Sequence, residues 1–153
     1  MSIEKIIKTE VKLPVNRKVI INLLYTENWM MDKINLELKP FDVSIQQFNV
    51  LRILKGQKGK PANLSTIQER MVTKMSNTTR LVDKLITKKF VSRITCPSNR
   101  RKVEITITQQ GEDFLKKVNP VMEKFENNIT SSLSQEDLIL LDQLLNKLRN
   151  TNY

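Results

Sequence analysis

The side chains of this sequence best equipped for chemistry lie in two short runs. Ser76-Asn77-Thr78-Thr79-Arg80, with Lys84 one turn beyond, combines hydroxyl, amide and cationic groups. Arg100-Arg101-Lys102 places three cations in a row. Such groups exchange hydrogen bonds and neutralise anions, but they do not break covalent bonds unaided. The chain has no histidine, which removes the commonest general base and the commonest metal ligand. A single cysteine leaves no intrachain disulfide. With only three glycines there is no phosphate-cradling loop, and no nucleophile–base pair or metal-ligand cluster is visible. An enzyme is the weakest reading, and no cofactor and no metal are expected. What remains is recognition of a polyanion.

Charge placement points the same way. The 153 residues carry 26 Lys+Arg against 16 Asp+Glu, a formal charge of +10. Residues 42–111 hold 14 of the bases and 4 of the acids, so the whole excess lies in the middle of the chain. A one-signed segment between neutral flanks is an electrostatic footprint for nucleic acid. Blander readings remain open: Ser76–Arg80 as a capped helix start with an exposed face, and Arg100–Lys102 as a solvated turn.

Presenting these runs requires particular elements. Residues 1–12 are polar and mixed, and fraying is expected there. Ile20, Leu23, Leu24, Met30, Met31, Ile34 and Leu38 recur in steps of three and four, which predicts a long amphipathic helix ended by Pro40. Ser44-Ile45-Gln46-Gln47 is a capping box for the next helix. Asn63 is the expected cap of a short third helix carrying Leu64, Ile67 and Met71. After a break near 72–74, a fourth helix is expected to run to about Lys89. Met75, Thr78, Leu81, Val82, Leu85 and Ile86 fall on one side of it. Ser76, Asn77, Arg80, Asp83, Lys84, Thr87 and Lys88 fall on the other.

Beyond Phe90 the period shortens to two. Val91–Cys96 and Val103–Ile107 read as a hairpin, and Pro97–Lys102 is its basic tip. Thr108 caps a fifth helix that Pro120 should kink, and Ser134 opens a leucine-striped last helix. Helix, turn, polar-faced helix and cationic hairpin make the order of a winged helix-turn-helix. A major groove admits one helix, whose polar side chains read base edges. The negative minor groove attracts arginine.

At these residues the sequence resembles the multiple-antibiotic-resistance repressor (MarR) family of bacterial regulators. SIQQFNVLRIL is similar to that family's helix entering the module, and SNTTRLVDKLITKKFVSR to its recognition helix. PSNRRKVEITITQQG resembles its wing, ending in the usual Thr108 and Gly111, and LSQEDLILLDQLLNKL its closing dimerisation helix. The resemblance covers residues 15–150. It implies major-groove and nearby phosphate contacts from Ser76, Asn77, Thr79 and Arg80, which the outward-facing Lys84 joins. It implies a minor-groove Arg101 flanked by Arg100 and Lys102.

It also implies an effector cleft that Tyr25, Trp29 and Phe48 could line, although the same residues suit a core. Two positions depart from the family. Asn99 stands where an Asp usually pairs with the wing arginine, and Phe90 where a helix-ending Gly is common, so the turn there must be built differently. Cys96 suits either a redox sensor or a plain strand residue.

The expected architecture is mainly α with a small β-hairpin wing: a winged helix-turn-helix flanked by N- and C-terminal dimerisation helices. Residues 1–153 form one domain, with arms at 14–40 and 112–150 and the module at 41–111. The flanking apolar helix exceeds what a module of this size needs, and the surplus reads as a dimer interface. The expected partners are double-stranded DNA, a second copy of the chain and an unidentified small-molecule effector. No apolar run spans a bilayer, and the charged N-terminus disfavours secretion, so a bacterial cytoplasmic repressor is expected. The rival is a winged-helix adaptor that has lost DNA binding and works through protein contacts; the Asn99 and Phe90 departures favour it and the charge placement opposes it.

Overall fold

The computed structural model describes residues 2–74, 76–96 and 99–150; the side chains of 96 and 99–102 lie outside that description. The elements in order are α1 (Ile3–Ile6), α2 (Val15–Leu38), a 3-10 turn (Lys39–Phe41), α3 (Ile45–Gly56), α4 (Leu64–Arg70), α5 (Thr78–Thr87), β1 (Val91–Cys96), β2 (Asn99–Ile107), α6 (Gln109–Ile129) and α7 (Gln135–Arg149). The architecture is mainly helical with one hairpin, as the sequence pattern predicts.

The predicted caps form. Ser44 Oγ accepts from the Gln47 amide at 3.2 Å, and Gln47 Oε1 accepts from the Ser44 amide at 2.9 Å. Asn63 Oδ1 accepts from the Thr66 amide at 2.8 Å. Each satisfies a first-turn donor that the helix itself leaves orphaned. Pro40 falls in the 3-10 turn that ends α2, and Asp42 follows in a left-handed conformation.

The core joins the helices of the middle segment to the hairpin and α6. Phe48, Val50, Leu51 and Leu54 of α3 meet Ile67, Met71, Val82 and Leu85, with Ile105 of β2 and Leu115, Val118 and Met122 of α6. The hairpin pairs Val91 with Ile107 through Thr95 with Val103 in antiparallel register, with an irregularity at Thr95/Cys96. Ile105 also exchanges main-chain hydrogen bonds with Ala62 at 2.9 and 2.8 Å. This third pairing was not visible in the sequence, because one residue carries no period.

Three expectations need correction. Residues 1–12 are not wholly frayed: α1 is helical and Ile3 is only 2% exposed. It packs against α2, where Lys18 Nζ lies 2.8 Å from Glu4 Oε1. The fourth helix starts at Thr78, so Ser76 and Asn77 stand at its mouth rather than on its face. Met71 follows α4 as its C-cap, although it is buried as expected. Pro120 lies inside α6, where the sequence pattern puts it.

Candidate nucleic-acid interface

α5 is amphipathic, and its orientation follows from that. Thr78, Val82 and Leu85 are buried, while Thr79, Arg80, Asp83, Lys84 and Thr87 are exposed. Two contacts set its start. Asn77 Oδ1 accepts from the Arg80 amide at 3.0 Å, capping the helix. The Thr78 hydroxyl donates to Gln68 Oε1, tying the first residue of α5 to α4. The capped-start reading of this run is therefore correct as structure. It leaves the Asn77 amide NH₂ free to donate, because the cap uses only the carbonyl oxygen.

The hairpin is fastened at two levels, to α5 along its length and to the turn after α5 at its root. Along its length, Arg93 Nη1 lies 2.7 Å from Asp83 Oδ1 and donates to it. At its root, the Thr108 amide donates to the Phe90 carbonyl at 3.0 Å. The Thr108 hydroxyl donates to the Lys89 carbonyl at 2.7 Å and accepts from the Gly111 amide at 3.1 Å. Gly111 sits so close that a Cβ there would lie 2.2 Å from the Phe90 oxygen. The threonine and glycine at the end of the wing segment thus seal one joint.

Phe90 does not take the left-handed conformation; Lys89 does, with φ 62°. Phe90 instead stacks on Phe114 of α6 at 4.4 Å, and Phe114 meets Phe41 edge-on at 6.4 Å. That departure is a rebuilt turn, as anticipated, and it withdraws one support from the adaptor reading.

Several cations are paired off. Lys88 pairs with Asp42, Lys55 with Glu112 and Lys116 with Asp113. The Lys88 ammonium holds the Asp42 carboxyl below its ordinary range, first by hydrogen bonding and then by charge. Arg80 and Lys84 carry no ion pair or side-chain hydrogen bond among the described residues. They line an open cleft of about 450 Å³ together with Ser76, Asn77, Gln46 and Thr73. The structure thus gathers four of the expected residues, Ser76, Asn77, Arg80 and Lys84. Thr79 is exposed beside them but does not line the cleft. Gln46 and Thr73 were missed; nothing in their local pattern marks them, since only folding brings α3 to the mouth of α5. Arg100, Arg101 and Lys102 belong to β2 by backbone, and their side chains lie outside the described residues, as do those of Asn99 and Cys96.

A second concavity, of about 750 Å³, opens between α2 and α6. Trp29, Lys33 and Glu37 face Val121, Lys124 and Phe125 across it. Of the three expected effector residues only Trp29 lines it. Tyr25 is exposed outside it, and Phe48, 1% exposed, is core as its alternative reading held. Among the described residues no helix is long and apolar enough to cross a membrane.

The MarR family model matches residues 43–103. The HTH-type transcriptional regulator TcaR of Staphylococcus aureus is 31% identical over 108 residues, 69% of this chain and 69% of that protein. The transcriptional repressor MprA of Escherichia coli is 23% identical over 125 residues, 82% of this chain and 71% of that protein. Among solved structures, the organohalide-sensing regulator RdhR in its 2,4-dichlorophenol-bound form is similar with a TM-score of 0.82 at 18% identity. That match covers 91% of this chain and 82% of the other.

Proposed function

The chain belongs to the MarR family of transcriptional regulators, and from that premise we propose that two copies clamp a near-palindromic operator as a ligand-responsive repressor. Each copy sets the mouth and outer face of α5 into a major groove, through Ser76, Asn77, Thr79, Arg80 and Lys84. Arg101 enters the adjacent minor groove, with Arg100 and Lys102 on phosphates. Two-fold symmetry puts half-site centres about 10 bp apart. The observation that carries this reading is the pair of unneutralised cations, Arg80 and Lys84, beside a capped, outward-facing helix start fastened to a basic hairpin.

Residues 41–111 serve as the reading module, and 14–40 and 112–150 as the arms. Support for pairing comes from the arms themselves. Val15, Val19, Ile20 and Leu24 of α2 and Leu140, Leu141 and Leu144 of α7 are all exposed, and no residue of α7 is buried. A 15-residue helix with no buried side chain has little to hold it in water, and a second copy supplies the missing surface.

The cavity between α2 and α6 is the seat for an effector. Trp29 and Phe125 offer rings to a flat ligand, and Lys33 and Lys124 offer charge. RdhR binds a small aromatic, 2,4-dichlorophenol, and a molecule of that class fits the lining here. Occupancy would act on both arms at once and so alter the spacing of the two reading heads.

The deciding experiment is selection of bound duplexes from a random pool by the purified protein, followed by a salt titration on the winner. An inverted repeat with a steep salt dependence is expected. Failure to enrich any duplex would refute DNA reading and favour the adaptor.

A further inference from the structure

The cleft at the mouth of α5 contains a residue from a different helix. Gln46 lies in the first turn of α3, yet it lines the same concavity as Thr73, Ser76, Asn77, Arg80 and Lys84. Its neighbour Gln47 is committed to the capping box. The Gln46 side chain has no hydrogen-bond partner among the described residues, and the same holds for Arg80 and Lys84. Two acids beside Lys84 are occupied: Asp83, its neighbour in sequence, by Arg93, and Asp42, which shares another hollow with it, by Lys88. Two free cations, a free amide and two hydroxyls around one open hollow, with neighbouring carboxylates already neutralised, make an anion seat. At about 450 Å³ the hollow has room for a phosphodiester with its flanking sugars.

We infer that Gln46 and Thr73 join Arg80 and Lys84 in seating one backbone phosphate of the duplex, which makes Gln46 a positioning residue for DNA docking. This rests on the DNA reading proposed above. The phosphate is gripped from two helices at once. That fixes how deeply and at what angle α5 enters the groove, leaving Asn77 and Ser76 to face the bases. Phosphate contacts of this kind set register and carry no sequence information, so the test needs no operator.

The experiment measures affinity for a mixed-sequence 30-bp duplex across a salt series. It compares the full-length wild type with Gln46→Lys, Gln46→Glu and, as charge controls on an exposed part of α6, Asn127→Lys and Asn127→Glu. Thermal melts establish that all five fold. A cation placed against a phosphate adds about 0.9 to the slope of log affinity against log salt. Gln46→Lys should therefore bind several-fold tighter with a steeper slope, and Gln46→Glu at least tenfold weaker, while the Asn127 variants stay near wild type. Gln46 variants that behave like their Asn127 counterparts, on a wild type that binds, overturn the phosphate seat and leave DNA reading intact. A wild type that binds no duplex at low salt overturns both.

Discussion

Asn77 shows how one side chain serves fold and recognition together. Its carbonyl oxygen caps α5, and its amide nitrogen is left to donate. Asn77→Ala should cost about 1 kcal/mol of stability through the lost cap. Asn77→Ser keeps a capping oxygen and loses the amide, so denaturant melts should place it near wild type. Both variants should change preference at one operator base pair by about 1–3 kcal/mol, measured by competition among base-substituted operators. Uniform weakening on every sequence would count against base reading. Arg101→Ala should act differently, weakening all duplexes alike and lowering the salt slope by about one unit. A wing variant with unchanged affinity and slope would make the wing's charge idle.

At the scale of elements, the joint between the hairpin and α6 is the least tolerant place in the fold. Gly111→Ala drives a Cβ to 2.2 Å from a backbone oxygen and 2.8 Å from Ile107. Neither neighbour can swing aside as the tip of a flexible chain would, so a loss of about 3 kcal/mol is expected, at the upper end of overpacking. Gly56, at the end of α3, has nothing within 4 Å of its would-be Cβ. Gly56→Ala should stabilise by up to about 1 kcal/mol. Opposite shifts of the two denaturation midpoints check the pair.

The docking of α1 carries a pH signature. Lys18 holds the Glu4 carboxyl below its ordinary value of 4.5, chiefly by its hydrogen bond. A carboxylate whose folded pKa is depressed stabilises above its unfolded value, and that contribution is lost as pH falls through the folded one. Amide exchange at residues 6–9, whose N–H groups donate to the α1 carbonyls and to Ser2, corrected for its intrinsic rate, should therefore show weakening protection as pH falls below about 4.5. In Lys18→Met the protection should be lower already at neutral pH and should fall less across that range, the backbone and Ser2 hydrogen bonds to Glu4 being kept.

At the scale of the whole molecule, the arms and the cavity between them carry the predictions. Sedimentation should give twice the 17.9 kDa chain mass. Leu141→Glu with Leu144→Glu should shift it to one chain and abolish tight operator binding while leaving weak non-specific binding. A double variant that stays dimeric would move the interface off α7. Trp29 is the only tryptophan and lines the cavity, so its emission reports directly on occupancy. Titration with 2,4-dichlorophenol should quench it saturably, and Phe125→Ala should weaken that response. A linear, unsaturable loss would show collision rather than a seat.

Much of this was readable along the chain because it is local. The capping box at Ser44, the Asn63 and Thr108 caps, the change of period after Phe90 and the one-signed middle segment are all properties of neighbours in sequence. The α5 residues were legible as a group because a helical period maps sequence onto faces. What tertiary structure alone decided lies at junctions between segments. Folding started α5 at Thr78 by anchoring it to Gln68, and it moved the left-handed residue from Phe90 to Lys89 by giving Phe90 a ring to stack on. It also placed Phe48 in the core and Trp29 on a cavity, and carried Gln46 across to the mouth of another helix. Proximity between residues far apart in the chain leaves no period and no local motif, so only packing could assign it.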